Sequence, residues 1–177
     1  MNKTVLKSLF KAIESDDANT VESILDADPD ALESVGQHNP LVRDKTPLMY
    51  AMQCRNFRLA NALLDRGANA AAVMPAGPGA SALALCLQFA YSDSAAFSRW
   101  VRLATRLLDD GADPNTGMWA ALHGYGRVAR RVELIRLMLD RGADPDRRVG
   151  NTSSTVRELV AHNRERYPAE VLAWFHS

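Results

Sequence analysis

Leu63-Leu64-Asp65-Arg66-Gly67-Ala68-Asn69 is written twice more along this chain, as Leu107-Leu108-Asp109-Asp110-Gly111-Ala112-Asp113 and as Met138-Leu139-Asp140-Arg141-Gly142-Ala143-Asp144. A phrase that recurs roughly every 30 to 45 residues marks stacked helical units, each too small to bury its own apolar face. The paired apolar residues close the second helix of a unit against the stack. The glycine that follows, at 67, 111 or 142, falls where a helix ends in a left-handed residue, a conformation glycine adopts without a Cβ penalty. Beyond it come Asp113-Pro114-Asn115 and Asp144-Pro145-Asp146, polar turns that predict a projecting hairpin rather than a third helix.

Upstream of the first phrase, Asp44-Lys45-Thr46-Pro47-Leu48-Met49-Tyr50-Ala51 opens the same unit. Thr46 offers a capping hydroxyl, and Pro47, lacking an N–H, suits the first helical position. Ser81-Ala82-Leu83-Ala84-Leu85-Cys86 opens the unit that ends at Gly111, and Ala120-Ala121-Leu122-His123 the one that ends at Gly142. Val5, Leu6, Leu9, Phe10 and Ile13 recur at helical spacing, as do Val21, Ile24 and Leu25, with Asn19 and Glu22 reading as a capping box. Stretches 155–163 and 168–175 form a last pair, with Val156, Leu159, Val160, Val171, Leu172 and Phe175 as its apolar stripe. Five units follow, at about 1–35, 44–69, 80–115, 118–146 and 152–177, the outer two acting as caps. They predict one elongated all-α domain over 1–177. Its core needs neither disulfide nor metal.

Three stretches depart from the repeat. The connection 33–45 is long and reads as an extended finger. Stretch 70–80 is apolar and rich in Gly and Pro, and it would leave Val73 and Met74 exposed at a tip. An insertion of about nine residues around 89–97 brings Phe89, Tyr91, Phe97 and Trp100, which read as longer helices packing on one another.

Twenty-one basic and twenty-one acidic residues give a formal charge of zero, which argues against a general binder of nucleic acid. No apolar run has the length of a signal peptide or a membrane span, so a cytoplasmic location without membrane contact is expected. Cys54 and Cys86 lie in different units, without the spacing of a metal site, and read as reduced thiols. Ser153-Ser154-Thr155 near His162 lacks a nucleophile elbow and reads as a helix cap. Asp16-Asp17 and Asp109-Asp110 fall at turns and helix ends. No enzyme activity, cofactor, metal or small-molecule substrate is expected. Usage rich in Ala and Arg suggests a GC-rich bacterial genome.

The repeated phrases resemble the ankyrin repeat, which reads roughly D-x-x-G-x-T-P-L-H-x-A before a second helix ending L-L-x-x-G-A-D-x-N. From Thr46 to Gly67 is 21 residues, the family's own spacing, with Met49 where the family has His. Leu122-His123 keeps the Leu-His of that motif, in which the imidazole serves as a strut to neighbouring backbone. Cys86 stands where the family has a small buried Ala. The resemblance spans essentially the whole chain and implies an ankyrin-repeat solenoid of about five helix-turn-helix units joined by projecting hairpin loops. It also implies binding of a partner protein through a concave face of hairpin tips and first helices. By position that face takes Asn39, Leu41, Arg43 and Lys45, then Gln53 and Cys54. Further along it takes Met74, Gln88, Met118 and Trp119, then Arg127, Arg147, Arg148 and Asn151. Trp and Arg are the side chains that most often carry interface energy, which singles out Trp119. The partner is another protein, with two roles to weigh: neutralising a toxin or effector as an immunity protein, or serving as a structural or targeting adaptor.

Overall fold

The computed structural model describes residues 3–37, 39–74, 81–124, 128–148 and 153–175, and these form ten α-helices and two short 3₁₀ turns. The chain divides into two compact units, Met1–Ala76 and Gly77–Ser177.

In the first unit α1 (Lys3–Glu14) packs on α2 (Ala18–Ala27) and on α3 (Pro47–Gln53), and α3 packs on α4 (Phe57–Asp65). The apolar spacing puts Leu9, Phe10, Ile13, Val21, Leu48, Met52, Leu59 and Leu63 inside. α2, α3 and α4 each start on a side-chain cap: Asp17 accepts from Thr20 N at 3.1 Å, Thr46 from Met49 N at 3.3 Å and Asn56 from Leu59 N at 3.0 Å. The α1–α2 turn is bound to the next pair through Asp16, whose Oδ1 accepts from Asn56 Nδ2 at 2.6 Å and Arg58 Nη2 at 2.7 Å. Between the pairs the chain loops out, closed where Gly36 N donates to Lys45 O at 2.9 Å and Asp44 N to Gly36 O at 3.0 Å. This is the expected finger, and Leu41 at its tip is 58% exposed.

The second unit holds α5 (Ala82–Ser92), α6 (Phe97–Asp109), α7 (Pro114–His123), α8 (Val128–Asp140), α9 (Val156–His162) and α10 (Ala169–Trp174). The insertion near residue 90 lengthens α5 and α6, as expected, and Phe89 packs on Trp100 with ring centroids 5.3 Å apart. Asp93, in the turn between them, accepts from Trp100 Nε1 at 3.4 Å. Gly67, Gly111 and Gly142 take φ of 87°, 99° and 85°, the left-handed helix ends that the repeated phrase predicts. Exposed ion pairs join successive pairs of helices, Arg141 to Asp109 at 2.6 Å and Arg136 to Glu170 at 2.9 Å.

Two expectations need correction. The cap of α2 is Asp17, not Asn19: Asp17 also accepts from Thr20 Oγ1 at 2.6 Å, so its carboxylate takes the place assigned to the amide. No hairpin projects after Gly111. Asp113 caps α7 directly, accepting from Asn115 N at 2.9 Å, and Pro114 takes the first helical position. Asp-Pro suits a turn, but an acceptor side chain followed by a residue without an N–H suits a helix start equally. The fourth pair thus begins at Pro114 rather than at 118. Met118 lies inside α7 at 1% exposure, so it is core and offers no partner surface.

Candidate functional site

The last carbonyls of a helix have no donor within it. At the end of α7, side chains from elsewhere in the unit supply them. Tyr91 Oη donates to Ala121 O at 2.7 Å, Tyr167 Oη to Leu122 O at 3.4 Å, and Arg131 Nη2 to Gly124 O at 3.2 Å. Arg131 also donates through Nη1 to Arg166 O at 2.9 Å. A Cβ at position 124 would lie 1.7 Å from Tyr91 Cε2, so glycine there is what lets the ring cross the helix end. Burial pushes the pKa of the Tyr91 phenol up, so it remains a donor.

Four residues apart on α7, Trp119 and His123 share a face, and their rings stack with centroids 3.7 Å apart and planes 19° from parallel. His123 Nδ1 lies 3.2 Å from Trp119 O, the strut to backbone that the Leu-His resemblance implies. Burial lowers the His123 pKa, opposed by that carbonyl and reinforced by the nearby positive charges of Arg166 and Arg131, so the ring is neutral at pH 7. Gln88, Tyr91 and Ser92 of α5 face this pair across a groove of ≈ 420 Å³, which Ala120 and Gly124 complete. That volume lies in the range of about 300–1,000 Å³ typical of ligand clefts. The lining is largely aromatic and apolar, with the Gln88 amide, the Tyr91 and Ser92 hydroxyls, the indole and the imidazole as its polar groups and no carboxylate. Such a groove takes an apolar or aromatic group by stacking and orients it by hydrogen bonds.

Of the residues assigned from the sequence, Gln88 and Trp119 come together in this groove. Arg147 and Arg148 are exposed elsewhere in the same unit, and Arg147 is tied to Asp113 at 3.0 Å. In the first unit Arg43 is exposed on the finger, Lys45 donates from Nζ to Leu41 O at 2.9 Å, and Asn39 accepts from Leu41 N at 2.8 Å. Gln53, Cys54 and Met74 are half-buried. Arg127 and Asn151 lie outside the described residues. Tyr91, His123 and Gly124 were missed as groove residues. The i, i+4 spacing of Trp119 and His123 was the sequence signal for His123.

Successive helix pairs stacked in this way define a helical repeat protein. Residues 43–74 match the model of the ankyrin repeat, so this stretch of the chain is an ankyrin repeat. Among curated proteins no relative matches it. Ankyrin repeats generally bind other proteins and are typically non-catalytic. No helix among the described residues is long and apolar enough to cross a membrane, and no group of three or more His, Cys, Asp or Glu among them is arranged to hold a metal. Cys54 and Cys86 are free thiols, and burial pushes both pKa values up.

Proposed function

We propose that this chain is a cytoplasmic binding module with no catalysis or cofactor of its own, which holds a partner protein by seating an apolar or aromatic side chain in the α5–α7 groove. The stacked, half-exposed Trp119–His123 pair carries this reading. A rigid aromatic platform offers contact area at little entropic cost, and such residues dominate interface energetics. The chemistry of His123 fits a structural role, because its neutral ring is engaged by backbone and by the indole. If the partner is a toxin or effector, the binding is that of an immunity protein in a bacterial host; if it is a standing complex, the chain is an adaptor.

The test is affinity capture from the native host with tagged wild type and with Trp119→Ala, each checked by circular dichroism. A stoichiometric partner held by the wild type and lost with a folded Trp119→Ala supports the groove. A partner retained by that variant removes the groove from the interface.

A further inference from the structure

Lys3, Lys7 and Lys11 stand four residues apart on α1 and so form one row along its surface. All three are exposed, and among the described residues none has a carboxylate partner, whereas Arg58 and Arg66 of the same unit pair with Asp16 at 2.7 Å and Asp26 at 2.8 Å. Like charges at this spacing repel, and Lys3 adds positive charge at the positive end of the helix dipole, with no acidic residue in the first turn to offset it. Among the described residues no ion pair offsets this repulsion.

Beside it lies a shallow pocket of ≈ 200 Å³, where Lys7, Lys11 and Glu14 of α1 meet Asn39 and Val42 of the finger and Tyr50 of α3. Asn39 Oδ1 holds the finger by accepting from Leu41 N at 2.8 Å and Val42 N at 3.1 Å, and the Leu41 side chain is exposed. A cationic row therefore runs into a small, partly apolar recess.

We propose that this face docks an acidic segment of a partner protein, with carboxylates along Lys3, Lys7 and Lys11 and an apolar side chain in the recess beside Val42 and Tyr50. The reading names the partner chemistry for the binding role proposed above and rests on it. The lysines are about 6 Å apart along the helix axis, close to the roughly 6.6 Å between alternate residues of an extended strand. Glu14 at the recess repels a carboxylate there, which places the acids along the lysines and the apolar residue at Glu14. A protein segment fits better than a polyanion because residues 1–76 carry ten acidic against eight basic side chains, including Glu22, Asp26, Asp30 and Glu33. A long polyanion or an anionic membrane needs a broad basic excess, which this unit lacks, while a short segment needs only the row.

The full chain is titrated by fluorescence anisotropy with a labelled heptapeptide of alternating glutamate and valine ending in leucine, beside a control in which lysine replaces glutamate. A single-stranded oligonucleotide and phosphatidylserine vesicles serve as competing anions. The acidic peptide is expected to bind, to weaken about tenfold in 0.5 M salt and in Lys7→Glu/Lys11→Glu, and to be unaffected by Trp119→Ala. Carbodiimide coupling is expected to join it to Lys3, Lys7 or Lys11. Binding no stronger than the control, binding unchanged by the charge reversal in a folded variant, or tighter binding of oligonucleotide or vesicles overturns the proposal. Loss of the general binding role would show instead as a wild-type chain that captures no partner from its host.

Discussion

His123 shows how the fold acts on one residue. Burial holds its pKa below the usual value near 6.5, so between that value and the lowered one the folded chain binds fewer protons here than the unfolded chain. Stability therefore rises with pH in this range and is lost as pH falls through about 6.5. The denaturant midpoint is expected to drop between pH 7.5 and 5.5, and His123→Gln is expected to flatten that slope. An unchanged slope rejects the assignment. The carboxylates act in a separate window. Hydrogen bonds from Asn56 and Arg58 lower the Asp16 pKa, and the Arg157 bond lowers that of Asp146. At Asp113 burial alone would raise the pKa, but Asn115 and Arg147 outweigh it. These groups contribute stability above their unfolded pKa near 3.9 and lose it only as pH falls below about 4.

At the scale of the helix, the stop signal is a backbone conformation. A Cβ at Gly67, Gly111 or Gly142 would meet nothing within 4 Å, so no packing opposes a side chain there, yet φ is 87°, 99° and 85°. Gly111→Ala is thus expected to cost about 1–2 kcal/mol through the left-handed conformation alone. Urea unfolding of the variant measures it, and a cost near zero would mean that the α6 end relaxes to another conformation. The start signals were legible where side-chain type allows one reading: Thr46-Pro47 capped α3 as expected, and Thr155 with Glu158 forms a full capping box at α9. Asp113-Pro114 allowed two, and its neighbours settled the choice. Met118, four residues on from Pro114, fills the interior at 1% exposure only if the helix starts there.

For the whole molecule, the core outweighs the surface. Leu107, from the repeated phrase, is 0% exposed, and Leu107→Ala is expected to cost about 2–5 kcal/mol. The Arg141–Asp109 pair is part-exposed on both sides, so Arg141→Ala is expected to cost no more than about 1 kcal/mol despite a 2.6 Å bond. Equal losses by chemical denaturation would overturn this ranking. The sequence by itself determined that the chain is a series of helix pairs, since caps, apolar spacing and terminal glycines act within a few residues of one another. It also placed Trp119 and Gln88 among the residues of interest. Only the tertiary structure decided that these two line one groove with Tyr91 and His123, and that Met118 belongs to the core. The groove joins side chains some thirty residues apart, across two helices whose packing fixes their distance. Local patterning records which face of a helix is apolar, but where two faces leave a space between them depends on how the side chains of both helices pack.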